Sequence, residues 1–239
     1  MKLIKLTLRL FIILLFIQFS ASFGRCKKGS GDIASIERSL SQFNGIEING
    51  SFDVHIKQDS VQKVVITADD NILPIIDTEV ENGILEIEID DDECLRKSSK
   101  VNVYISIPSL RKVRLNGSGN INGDGQFTGD EMDVSINGSG NISLNFNGGN
   151  LRSKIDGSGN ITLSGISYNS SHEINGSGRI NAKNTESQKV NAKINGSGSI
   201  SVNAIQTFKV NISGSGAVGY FGNPVTDVSI SGSGKVFKE

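Results

Sequence analysis

The carboxylates within the second half of this 239-residue chain, ahead of its last residue, are Asp124, Asp130, Glu131, Asp133, Asp156, Glu173, Glu186 and Asp227. Two such groups facing each other across a groove would suit glycosidic-bond chemistry, one as proton donor and one as base or nucleophile. They do not recur at a common phase of the repeat described below, so no stacked pair is expected and the chain is read as non-enzymatic. His55 and His172 are isolated, lack a second metal-ligating residue at a recognisable spacing, and are expected on the solvated surface. The densest charge run, Asp90-Asp91-Asp92-Glu93, is read as a solvated loop, with a divalent-cation site as the sharper alternative. Phe127, Phe146, Tyr168, Phe208, Tyr220 and Phe221 would stack on sugars where exposed, although most are expected to fill the core or cover the C-terminal end.

The glycine clusters do not supply a cofactor or metal site. Calcium-binding nonapeptide repeats need an aspartate where this chain places Ile142 and its equivalents, and no Gly-Lys-Ser/Thr follows any cluster, so there is no phosphate-binding loop. No metal and no cofactor is expected. Cys26 and Cys94 are the only cysteines, and three readings stay open at this level: a disulfide between them in an oxidising compartment, a lipidated Cys26, or two unpaired thiols. Arg25 stands where a lipoprotein peptidase wants a small residue.

Residues 1–22 have the layout of an export signal, with Lys2, Lys5 and Arg9 ahead of the apolar run 10–19 and then Ser20, Ala21 and Ser22. Removing them leaves 21 basic against 25 acidic residues, a mildly acidic exported protein of the periplasm, outer membrane or cell surface. Residues 116–239 carry nine of each sign, which offers no electrostatic footprint for nucleic acid. Gly, Asn and Ser together fill 83 positions, yet a 36% hydrophobic fraction is enough for a core.

What organises these residues is a tetrapeptide repeat. Asn/Asp/Ser-Gly-Ser-Gly occurs seven times, centred on Ser118, Ser139, Ser158, Ser177, Ser197, Ser215 and Ser233, at steps averaging about 19 residues. Aliphatic residues flank each copy at every second position, as in Val190, Ala192 and Ile194, then Ile200 and Val202. A period of two belongs to strands with one buried face. The same residue type recurs at the same phase, as at Ile121, Ile142, Ile161, Ile180, Ile200, Val218 and Val236. Coils stacked about 4.8 Å apart explain that recurrence, whereas a meander would need only a turn. The seven serines are therefore read as structural, and the Asn-Gly-Ser triplets as by-products of the repeat rather than glycosylation sites.

Before the repeats, residues 45–56 form a worn copy with Phe52 in place of the second glycine. The organisation expected is a signal peptide at 1–22, a linker or tether at 23–42 containing Gly29-Ser30-Gly31, a β-rich N-terminal cap at 43–115 continuous with the rod, and a Gly-Ser-Gly β-solenoid at 116–239.

The stretch FNGIEINGSFDVHI at 43–56, DNILP at 70–74, ENGILE at 81–86, VYISIP at 103–108 and the repeated Asn-Gly-Ser-Gly resemble the bacterial family of putative auto-transporter adhesins, head GIN domain. The resemblance covers about residues 43–220. It implies an all-β, right-handed single-stranded parallel β-helix from the cell envelope, and it carries no catalytic residues. The function expected is adhesin-type binding of a glycan or an envelope protein, with membrane contact only through a lipid on Cys26. The alternatives are a polysaccharide-active β-helix enzyme, which needs close carboxylates in a groove, and a structural or assembly element, which uncovered solenoid ends would favour.

Overall fold

The computed structural model describes residues 26–90, 93–97 and 100–239. The export-signal segment, Arg25, Asp91 and Asp92 lie outside the described residues. The strands in chain order are β1 (Lys27–Lys28), β2 (Ile33–Arg38), β3 (Gly45–Gly50), β4 (Asp53–Gln58), β5 (Lys63–Asp69), β6 (Ile76–Glu81), β7 (Ile84–Ile89), β8 (Leu95–Lys97) and β9 (Asn102–Ile107). They continue as β10 (Lys112–Gly117), β11 (Asn120–Gly138), β12 (Asn141–Gly157), β13 (Asn160–Gly176), β14 (Arg179–Gly196), β15 (Ser199–Gly214), β16 (Ala217–Phe221), β17 (Val225–Gly232) and β18 (Lys235–Lys238). The one helical turn among the described residues is a 3-10 turn at Leu73–Ile75.

From β10 onward the chain is a β-solenoid in which each coil pairs in parallel with the next. The pairing is in register at the motif: Asn116, Asn137, Asp156, Asn175, Asn195, Ser213 and Ser231 stack as one column. Alternate side chains of a strand point to opposite faces, so an aliphatic residue at fixed phase becomes a column in the core. Leu115, Ile136, Ile155, Ile174, Ile194 and Ile212 form such a column, each at most 1% exposed. Burying each of these side chains contributes about 1.5–3 kcal/mol.

The motif turns the corner. Its first glycine has φ between 119° and 140° from Gly117 to Gly232, and a Cβ there would lie 2.3–2.5 Å from the glycine carbonyl oxygen of the coil below. The turn therefore needs both the backbone freedom and the missing side chain of glycine. The following serine donates its backbone N–H to that carbonyl, as in Ser158 to Gly138 and Ser177 to Gly157, both at 2.9 Å. Asparagine side chains extend the ladder outside the core: Asn195 Nδ2 donates to Asn175 Oδ1 and Asn175 Nδ2 to Asp156 Oδ1, both at 2.7 Å.

The N-terminal part is built on the same frame with the chain order rearranged. The worn copy stacks as expected, β3 on β10 and β4 on β11, with Asn49 against Asn116 and Gly50 against Gly117. Beneath it β7 pairs with β3 and β9 with β4, so a coil later in the sequence lies below an earlier one. Antiparallel additions complete this end: β6 on β7, β5 on β9, and β2 on β5. The 3-10 turn places Leu73 and Ile75 in the core, and Arg38 Nη2 donates to the carbonyls of Leu73 (3.2 Å) and Ile76 (2.9 Å).

Residues 23–42, read from sequence as a tether, are tied down where described. Gly31 N donates to Asp69 Oδ1 (2.7 Å), Ser30 Oγ to Asp70 Oδ1 (2.6 Å), and Ile33–Arg38 is a strand. The opposite end of the rod is open: all of β17 is exposed, and Val228, Ile230 and Phe237 are 44%, 41% and 43% exposed.

Candidate functional site

The seven motif serines line one edge of the rod. All are exposed, and none of their hydroxyls has a hydrogen-bond partner among the described residues. Their contribution to the ladder is through the backbone. Cys26 and Cys94 are joined in a disulfide with a Cα–Cα distance of 4.4 Å, flanked by the Lys27–Glu93 ion pair at 2.7 Å.

Several of the repeat-region carboxylates face basic side chains rather than one another. Asp156 meets Lys154 (2.7 Å), Glu173 meets Lys193 (3.1 Å), Asp227 meets Lys209 (3.7 Å), Glu131 meets Arg152 (4.0 Å) and Asp124 meets His55 (3.9 Å). The Lys154 hydrogen bond, aided by that from Asn175, holds the Asp156 carboxyl below the usual carboxylate range. Hydrogen bonds from Asn120 and Lys100 do the same for Asp53. A general acid requires the opposite shift. Among the described residues no group of three or more His, Cys, Asp or Glu side chains is arranged to hold a metal.

His172 corrects the surface expectation. It is 1% exposed, its Nδ1 lies 2.8 Å from Ser153 Oγ, and burial pushes its pKa down to about 4. Its phase carried the signal: Ile174 points inward, so the residue two before it does as well. His55 is half-exposed and stacks on Tyr104 at 5.3 Å. Of the six singled-out aromatics, Phe127, Phe146 and Phe208 are buried, Tyr220 packs on Phe208, Phe221 is partly buried, and Tyr168 is 53% exposed.

Tyr168 stands beside a lateral groove of about 270 Å³ across β12, β13 and β14. Three columns build it: Asn150, Asn169, Lys189; Leu151, Ser170, Val190; and Arg152, Ser171, Asn191. The middle column faces the core, and within it stands Ser170, 4% exposed, between Leu151 and Val190. Its Oγ is buried and has no hydrogen-bond partner. Asn169 Nδ2 donates to Asn150 Oδ1 at 2.9 Å, which fixes the amide row. Lys189 Nζ lies 5.5 Å from the centre of the Tyr168 ring, within range of a cation–π contact, and makes no ion pair among the described residues.

Two other surface hollows are more fully satisfied internally. The one bounded by Phe43, Asn44 and Gln62 has Gln62 bonded to Ser41 O (2.9 Å) and Phe43 N (3.2 Å). In the hollow containing Arg114 and Lys154, those cations pair with Glu47 (3.0 Å) and Asp156. The groove beside Tyr168 combines, at its rim, an exposed ring against Lys189, a cation with no ion pair among the described residues, and a hydrogen-bonded pair of amides. Sequence reasoning singled out Tyr168 but missed the groove, because its residues come from three coils and share no local motif.

Solved structures share this architecture. A "putative adhesin" of Bacteroides fragilis NCTC 9343 superposes with TM-score 0.86 at 24% identity, over 89% of this chain and all of that one. A "putative lipid binding protein" of Parabacteroides distasonis ATCC 8503 gives 0.75 at 26% identity, over 90% and 100%, and a "putative adhesin" of the same strain gives 0.71 at 26%, over 89% and 99%. No curated protein matches the chain. With residues 42–224 matching the family model, the chain belongs to the family described as "Putative auto-transporter adhesin, head GIN domain".

Proposed function

We propose that this protein is an exported, non-enzymatic adhesin-type rod that binds a glycan in the Tyr168 groove. The observation that carries the reading is a half-exposed aromatic ring, packed against a groove-lining lysine, beside a hydrogen-bonded pair of asparagine amides. A tyrosine ring supplies an apolar face for a sugar ring, and amides and hydroxyls exchange hydrogen bonds with sugar hydroxyls. The lining suits hydroxyls better than an acyl chain, so the lipid-binding name of the Parabacteroides relative is not carried over. Export is supported by the signal-like layout of residues 1–22 and by the disulfide, a bond that persists in oxidising compartments. In this reading Cys26 is a staple for the N-terminal end, and its sulfur is not the site of a lipid.

The test is a glycan screen of the full chain purified from the envelope, with Tyr168→Ala as its pair. At least one glycan should be retained above an unrelated β-solenoid control, and the variant should bind it about tenfold more weakly, the loss of one stacking contact and its buried area. Retention no better than the control, or unchanged by Tyr168→Ala, would refute the reading.

A second reading, an assembly element, is favoured by one feature, the uncovered C-terminal coil with Val228, Ile230 and Phe237 exposed.

A further inference from the structure

We propose that the saccharide taken by the groove is acidic, with its anionic group seated against Lys189 Nζ. This rests on the glycan reading above and adds the ligand's charge. Two cations border the groove, Arg152 on β12 and Lys189 on β14, two coil steps or roughly 10 Å apart along the rod. They are not equivalent. Arg152 has carboxylates one coil below it, Glu131 at 4.0 Å and Asp133 as its register neighbour. Among the described residues Lys189 makes no ion pair and has the Tyr168 ring beside it, and the nearest carboxylate in its own coil, Glu186, forms no ion pair either. An ammonium held over a ring at the rim of a groove is already positioned for an anion, and a protein–anion contact there replaces water rather than a competing carboxylate.

The neutral donors continue the same pattern. Between the two cations the middle coil offers the outward-facing side chains of Asn169 and Ser171. A chain of acidic sugars lying along the rod would place a ring on Tyr168, its anionic group at Lys189, and its hydroxyls on these residues. Such anions come from two sources, uronic-acid carboxylates and ester sulfates, and both meet Lys189 with the same chemistry.

The experiment measures binding of the full chain to homogalacturonan oligosaccharides and their methyl esters, the same rings without the charge, with a sulfated and a desulfated galactan alongside. Wild type, Lys189→Gln, Arg152→Gln and Tyr168→Ala are compared, after checking that each variant melts like wild type. An acidic polymer should bind at least tenfold more tightly than its neutralised partner. Lys189→Gln should remove most of that preference, and Arg152→Gln should weaken binding less. Preference for the uronate pair or for the sulfate pair tells which source is used. If acidic and neutralised polymers bind alike while Tyr168→Ala still weakens both, the acidic inference is overturned and the glycan reading stands. If none of the polymers is bound, the acidic inference is overturned and the glycan reading rests on the wider screen; if Tyr168→Ala changes nothing, both are overturned.

Discussion

Replacing Gly157 by alanine separates the two reasons for the corner glycine. Gly157 has φ +135°, and an added Cβ would sit 2.4 Å from the Gly138 carbonyl oxygen, the atom that accepts the Ser158 N–H at 2.9 Å. The side chain can be accommodated only by moving backbone, so conformational strain of about 1–3 kcal/mol adds to a packing penalty of similar size, about 2–6 kcal/mol together. Gly125 is the control: its φ is +86°, but a Cβ there meets nothing within 4 Å. Gly125→Ala should therefore show the strain alone, about 1 kcal/mol. Ser158→Ala removes an exposed hydroxyl and should stay within about 0.5 kcal/mol. Thermal melts of the three variants read the order directly, since 1 kcal/mol moves the midpoint of a chain this size by about 2–4 °C. Hydrogen exchange should place the Gly157→Ala loss in β12 and β13, because solenoid coils depend on their neighbours. Equal shifts for Gly157→Ala and Ser158→Ala, or a Gly157→Ala midpoint within 1 °C of wild type, would refute this account of the motif.

Three further outcomes follow from the same structure. The His172 pKa is about 4 in the fold against 6.5 unfolded, so between these values the unfolded chain binds more protons; stability is full above about pH 6.5 and falls as pH drops toward 4, by about 3 kcal/mol for a fully buried imidazole, and urea titrations of His172→Leu should lack that slope. Reducing the Cys26–Cys94 bond, which closes a 68-residue separation, should lower stability by about 2–4 kcal/mol, with exchange protection lost first in β1, β2 and β8. Ile174→Ala in the closed middle of the rod should lower stability by about 2–5 kcal/mol, whereas Ile230→Ala on the exposed last coil should cost about 1 kcal/mol or less by the same melts.

The repeating part of the fold was legible because each coil writes the same message. Ser139 and Ser158 mark successive corners, and Ile142 and Ile161 share one column, so phase alone predicts parallel register. At the N-terminal end this logic loses its footing: β7 and β9 lie beneath β3 and β4 although they come later in sequence, and nothing in ENGILE or VYISIP encodes that order by period. Gly29-Ser30-Gly31 looked like a tether because composition speaks only of local freedom. The carboxylates of Asp69 and Asp70 that hold it are about 40 residues away. His172 was misplaced by residue type against phase, since a polar residue at an inward position was read by its polarity. The groove was least legible: Asn169 acquires meaning only against Asn150, and Lys189 only over Tyr168, relations made by stacking three coils.

The central claim, that the lateral groove of β12–β14 is where this rod takes its ligand, is tested most directly by titrating the isotopically labelled full chain with a retained oligosaccharide and mapping amide shifts. The account predicts saturable shifts concentrated on Asn150, Arg152, Tyr168, Asn169, Lys189 and Asn191, absent in Tyr168→Ala. Shifts confined to the serine edge or to the exposed strand Val225–Gly232, with the groove silent, would contradict it.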